Sequence, residues 1–248
     1  VTGDSGLAGR HLLVTGAGGL GRVLASEALE LGMRVTVLDR DQEALAALPK
    51  TEALRGLVAD LTDIGSYGRL LDGVAAGLGP VHAFAATAAA IRRQHDVREV
   101  TEADWHFQVE INQKAVYFLT RDVAEHMRSN GGGAIVLVSS AAGVTGGVQG
   151  TTVYGSTKAA VLATMHGFAR LYAGAGVRIN AVVPGTIDTP MLWVGQTAET
   201  AAAAASLSGM GRVGLPVEIA RPILFLLSDW ASFVTGTSLD VDGGWLYR

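Results

Sequence analysis

From His11 onward, short apolar runs rich in β-branched residues alternate with longer segments of helical periodicity. The runs are His11–Thr15, Arg34–Asp39, Leu54–Ala59, Val81–Ala86, Ala134–Ser139, Val177–Val183 and Ser238–Val241. They are continuously apolar rather than alternating, the pattern of parallel strands covered on both faces. Between them, Leu20–Leu31, Gln42–Leu48, Ile64–Gly77, Thr101–Arg128, Thr152–Ala173 and Val217–Leu227 predict amphipathic helices. This alternation predicts an α/β fold, a doubly wound parallel sheet with helices on both sides. The 248 residues fit one α/β domain, since such folds run to about 250 residues as one unit. Only Met191–Gly211 departs from the rhythm, and its run Ala201–Ala205 predicts a small inserted helix. Ligands of such sheets bind beyond the C-terminal ends of the strands, so the residues after each strand carry the information.

Composition removes several classes of function. A charged fraction of 17% with 49% hydrophobic residues excludes a disordered chain. The absence of cysteine excludes disulfide scaffolds, thiolate zinc sites and cysteine nucleophiles. A net charge of −4 argues against nucleic acid as a partner. Pro80 and His82 interrupt the weakly charged stretch Gly73–Ile91; Ser139, Ser140 and Gln149 interrupt Gly131–Thr157. Neither predicts a membrane span, and Val1–Arg10 lacks the order of a signal peptide. The expectation is a soluble, cytoplasmic protein. His11, His82, His95, His106, His126 and His166 show no ligand spacing, so no metal is expected.

The first strand runs into Thr15-Gly16-Ala17-Gly18-Gly19-Leu20-Gly21, which opens a helix. Gly16, Gly18 and Gly21 satisfy G-x-G-x-x-G in the strand–turn–helix setting that brings backbone N–H groups to a pyrophosphate. The second strand ends at Asp39, whose carboxylate can accept the ribose hydroxyls of an adenosine and repel a 2′-phosphate. That favours NAD over NADP, although Arg40 beside it could partly accommodate the phosphate. After the third strand, Asp60-Leu61 stands where an acid could bond the adenine amino group.

Tyr154 and Lys158 are four apart in a helical segment and share one face. The strand Ala134–Ser139 delivers Ser140 to the same edge of the sheet. A hydroxyl, a phenol and an ammonium there can surround one carbonyl oxygen. Lys158 is expected to lower the phenol's pKa from near 10. Tyr154 then exchanges a proton with an alkoxide, and Ser140 polarises the carbonyl.

Together these residues resemble the short-chain dehydrogenases/reductases, in the branch of roughly 250 residues. The resemblance rests on Thr15–Gly21, Asp39, Asp60-Leu61, Asn112, Ser140, Tyr154-x-x-x-Lys158 and Pro184-Gly185. It extends through Gly211–Pro216 and Thr235-Gly236 to Val241–Gly244, so it covers nearly the whole chain. It implies a seven-stranded Rossmann fold, a Ser–Tyr–Lys–Asn tetrad and a homotetramer. It also implies that Asn112 holds a water linking Lys158 to solvent, that Ala86 and Thr87 contact the cofactor mainly through backbone, and that Ile187 and Thr189 hold the nicotinamide carboxamide. Two departures stand out. Only Ala17 and Gly18 separate Gly16 from Gly19, one residue fewer than usual, and Ala86-Thr87-Ala88-Ala89 replaces Asn-Asn-Ala-Gly. Altered support of the loops, rather than lost binding, is expected from the second.

The leading expectation is an NAD-dependent oxidoreductase interconverting a secondary alcohol and a ketone. The rivals are an epimerase or lyase on the same fold, and a dinucleotide-sensing binding protein. Val144, Val148 and Gln149 after Ser140 are substrate-pocket candidates, while Met191 and Trp193 either line that pocket or anchor the inserted helix. Met191–Gly211 is expected to be a mobile lid, and its apolar start points to an apolar, medium-sized substrate without phosphate or carboxylate.

Overall fold

The computed structural model describes residues 4–148 and 150–246. In chain order it contains β1 (His11–Thr15), α1 (Gly19–Glu30), β2 (Arg34–Asp39), α2 (Gln42–Ala46), β3 (Leu54–Val58), α3 (Tyr67–Leu78) and β4 (Ala83–Ala86). There follow α4 (Glu102–Val109), α5 (Val116–Ser129), β5 (Gly133–Val138), α6 (Ala141–Thr145), α7 (Thr152–Tyr172) and β6 (Val177–Pro184). The chain ends through α8 (Pro190–Trp193), α9 (Ala198–Ala205), α10 (Pro216–Leu227) and β7 (Ser238–Val241). Seven parallel strands lie in the order β3-β2-β1-β4-β5-β6-β7. The order reverses between β1 and β4, which opens a crevice at their C-terminal ends.

The apolar runs explain this arrangement. Every residue of β1 and β4 is buried, as continuous hydrophobicity requires of central strands. One core layer packs Leu13, Phe84 and Ile135 against Val123, Met127 and Phe168; the other packs Val14, Val37 and Val136 against Leu24, Ile223 and Leu227. The two edge strands are the exceptions: β3 exposes Arg55, Gly56 and Val58, and β7 exposes Leu239. A sheet edge has only one neighbour, so a short polar-tolerant strand suffices there.

The single helix expected over Thr101–Arg128 is divided. α4 begins on a reciprocal cap between Thr101 and Asp104, and a π-helical segment, Glu110–Ala115, separates it from α5. The π segment buries Asn112 completely, and such insertions occur frequently at functional sites. The inserted helix is longer than expected, starting at Ala198 rather than Ala201.

Three of the histidines close the N-terminal edge of the sheet. His11 Nδ1 donates to the Gly79 carbonyl at 2.7 Å, so its Nε2 accepts from the Thr36 hydroxyl at 2.8 Å. His82 Nδ1 accepts from the His11 N–H, and His126 Nε2 accepts from the Val81 N–H. Burial holds all three below the ordinary imidazole pKa. Among the described residues no group of His, Asp and Glu is placed to hold a metal ion, and no helix is long and apolar enough to cross a membrane.

Candidate active site

The crevice at the switch point opens into a cavity of about 710 Å³ that reaches from the glycine turn to Met191 and Leu192. Gly16, Gly18, Gly19 and Leu20 line one end. Gly16 has φ +91°, a conformation that glycine adopts readily. At Gly21 an added Cβ would run into the Gly16 carbonyl and the Thr87 hydroxyl, so only glycine allows this closure. Gly18 caps α1 without a side chain, and no acid sits in the first helical turn. Gly21 N and Arg22 N turn back to the Gly18 carbonyl, which leaves the N–H groups of the first helical residues, Gly19 and Leu20, to meet an anion.

Asp39 closes the end of the cavity expected to take an adenosine. Its carboxylate accepts from Ala17 N at 2.7 Å and from Asp41 N at 2.9 Å. Because a carboxylate has about four acceptor positions, capacity remains for ribose hydroxyls. Arg40, Asp60 and Leu61 line the same end. Asp60 accepts from the Thr62 N–H and hydroxyl, which hold its pKa below the usual value. These donors, acceptors and the bare cradle fit a dinucleotide.

The replacement of Asn-Asn-Ala-Gly is compensated locally. Thr15 Oγ1 accepts from Thr87 N and Ala88 N, and the Thr87 hydroxyl donates to the Thr15 carbonyl. Two threonines thus brace the loop after β4 against the glycine turn. Thr87 lines the cavity; Ala86, buried in β4, does not.

Ser140, Tyr154 and Lys158 converge on the cavity. Ser140 caps α6, accepting from Ala142 N at 3.1 Å. Its neighbour Ser139 is buried and donates to the Lys158 carbonyl, which leaves Ser140 as the available hydroxyl. Lys158 is 2% exposed, and its Nζ donates to the Val138 carbonyl at 2.9 Å. Burial lowers its pKa to about 8. The ammonium also lies 5.6 Å from the centre of the Tyr154 ring. Burial pushes the Tyr154 phenol up to about 12, opposed by the Ser140 hydroxyl and the charge of Arg93. The lowering expected from Lys158 is not found: burial outweighs the opposing pull of Ser140 and Arg93, and the phenol stands above its ordinary value.

Asn112 braces rather than lines. Its Oδ1 accepts from Ala90 N and its Nδ2 donates to the Ala90 carbonyl, both at 2.8 Å, and to Thr157 Oγ1 at 3.2 Å. Opposite, Pro184, Gly185, Ile187 and Thr189 form the wall after β6. Ile187 bridges to Gly214, and Thr189 lies beside Gly19, which joins this wall to the glycine turn.

Of the substrate-pocket candidates, Val148 and Met191 line the cavity. Val144 and Trp193 are exposed outside it, and Gln149 lies outside the described residues. Leu192, expected with Met191 on the inner face of the lid, also lines the cavity, whereas sequence reasoning missed Arg93, Phe107, Ile111 and Leu207, all of which face it. No local spacing marks them, because they come from separate loops and helices.

Known proteins resemble this chain along nearly its whole length. The profile of a family described as enoyl-(acyl carrier protein) reductase matches residues 15–246. The 2-keto-3-deoxy-L-fuconate dehydrogenase of Xanthomonas campestris pv. campestris is 35% identical, over 98% of this chain and 82% of that protein. The cis-4-hydroxycyclohexanecarboxylate dehydrogenase of Sinomonas cyclohexanicum is 35% identical, over 95% of this chain and 96% of its own. A solved structure described as ElxO with NADP bound superposes with a TM-score of 0.87 at 27% identity, covering 96% of this chain and 99% of the other.

Proposed function

Since the chain belongs to the short-chain dehydrogenase/reductase family and is an NAD(P)-dependent oxidoreductase acting on CH–OH groups, we propose that it interconverts a secondary alcohol and a ketone with NAD, through Ser140, Tyr154 and Lys158. The observation that carries this reading is the convergence of those three side chains on the cavity that begins at the bare helix start of α1. A bound nicotinamide dinucleotide supplies or accepts the hydride. The protein supplies position and proton. Ser140 donates to the substrate oxygen and orients it. With a pKa near 12, Tyr154 is protonated at neutral pH and so is set to give its proton to the oxygen of a ketone. Lys158, charged below about 8, holds its ammonium beside the Tyr154 ring with donors left for the cofactor ribose.

Asp39 supports the preference for NAD, because a carboxylate lining this end of the cavity would repel the like charge of a 2′-phosphate. Asn112 acts as a positioning residue, holding Ala90 and so the cavity wall. Val148, Met191, Ile111 and Leu207 support an apolar, medium-sized substrate body. The segment 191–211 serves as a lid. It is tied down by Ser208 and Met210 on the Gly243 carbonyl and by Thr186 on Ala204. Hydrogen exchange that slows in this segment on adding cofactor and substrate analogue checks that role. The family's homotetramer is supported by Tyr117 and Leu171, left exposed on α5 and α7, and is checked by light scattering.

The deciding experiment follows reduced-nicotinamide absorbance while a panel of secondary alcohols is offered with NAD and then NADP. Production of the reduced cofactor in step with ketone supports the proposal. Product formation without net reduction replaces it with an epimerase or lyase. Tight dinucleotide binding with no conversion of any panel member replaces it with a sensor.

A further inference from the structure

Arg92 and Arg93 are adjacent, yet their surroundings differ. Arg92 pairs with Asp104 at 3.3 Å and its guanidinium lies 4.1 Å from the centre of the Phe107 ring. Arg93 makes no ion pair among the described residues. Its Nε donates to the Val194 carbonyl at 2.8 Å, its stem lies against Gly195, and the side chain lines the cavity. The following residue is clamped as well, Gln94 N donating to the Gly150 carbonyl at 3.0 Å. The guanidinium is therefore held at Nε, while its two Nη groups retain their donors.

The charges around the cavity locate this cation. Asp39, Arg40 and Asp60 belong to the adenosine end, and Glu110 is paired with Lys114 at 2.8 Å. Arg93 lies near enough to Tyr154 for its charge to favour the phenolate. A half-buried cation beside the reacting group, with no carboxylate to meet it, is an arrangement that an anionic ligand completes.

We propose that Arg93 is the specificity-determining residue for a substrate carboxylate, so that the alcohol oxidised here is a hydroxy acid whose carboxylate binds the two Nη groups in bidentate fashion. The proposal rests on the oxidoreductase reading and adds a charged terminus to its apolar substrate body. It amends the expectation of an uncharged substrate, which was drawn from Met191–Trp193 while the cation comes from the loop after β4. Because Val194 holds the same side chain, acid binding and lid position are linked through one residue.

The test separates this proposal from the redox reading by measuring binding without turnover. Protein saturated with NADH is titrated calorimetrically with benzoate, cyclohexanecarboxylate and 3-hydroxybutyrate, each against its primary amide. At least one acid is expected to bind roughly tenfold or more tighter than its amide, the scale of a charge-assisted bidentate pair. Arg93→Met should abolish that preference and Arg93→Lys should restore part of it. A merely loosened lid would weaken acid and amide alike and leave their ratio intact. The proposal is overturned if no acid outbinds its amide, if the preference survives in Arg93→Met, or if that substitution weakens NADH instead of the acids. NADH formation from any alcohol leaves the redox reading standing in each of those cases.

Discussion

The two edges of the sheet both bury polar side chains, and they treat them in opposite ways. At the N-terminal edge His11 and Arg178 are fully engaged by the fold. His11 uses both ring nitrogens, and Arg178 donates to the Leu226, Val234 and Ser228 carbonyls. At the C-terminal edge, Lys158 and Arg93 each have one hydrogen bond to a main-chain carbonyl and keep further donors. Two arginines of the same chemistry thus have different roles. Arg178 ties β6 to the end of α10, whereas Arg93 lines the cavity and is held there through Nε alone. A saturated buried group holds the scaffold, and one left with donors identifies the site.

Breaking the site edge should cost chemistry and leave the fold alone. The largest effect is expected from Tyr154→Phe, which removes the proton donor. Turnover should fall by about two to four orders of magnitude, while NADH titration and the melting temperature hold. More than a tenth of the parent rate would end the proton-transfer assignment. Lys158→Met comes next, with kcat/KM reduced roughly a hundredfold and the pH–rate limb near the Lys158 pKa of about 8 removed. A profile identical to the parent's would make Lys158 structural only.

Breaking the other edge should do the reverse. His11→Ala should cost about 1–3 kcal/mol of stability through the orphaned Gly79 and Thr36 groups, measured by urea unfolding, with activity retained. The same edge makes the protein acid-sensitive. Burial depresses the native pKa of His11, His82 and His126 below the ordinary 6.5, so the unfolded chain takes up protons there first. Stability is therefore full above that pH and declines as pH falls through it toward the native values. Unfolding free energies that stay level across this range would show that the cluster does not control stability.

The smallest effect tests a residue that belongs to both categories. Asp39 braces Ala17 and also faces the adenosine end. Asp39→Ala should weaken NAD and shift the NAD/NADP ratio of kcat/KM by roughly tenfold toward NADP. A slight loss of turn stability should accompany it. An unchanged ratio moves cofactor selection to another residue.

Much of this molecule was legible without coordinates, because its signals are local. Strand and helix periods depend on near neighbours, and β1, β2 and β7 begin and end where their apolar runs do. The glycine turn and Tyr154-x-x-x-Lys158 are likewise set by helix and turn geometry within a few residues. Other features were invisible for the opposite reason. The π segment that turns Asn112 onto Ala90 is decided across 22 residues, and the Arg93 contact with Val194 across 101. Trp193 reads in sequence as either a pocket residue or an anchor of the inserted helix, and it is solvent-exposed outside the cavity. The sequence by itself determined the order of the elements and the chemical types brought to the crevice. Tertiary structure alone decided which of those groups are saturated, because burial and hydrogen-bond partners come from segments far apart in the chain.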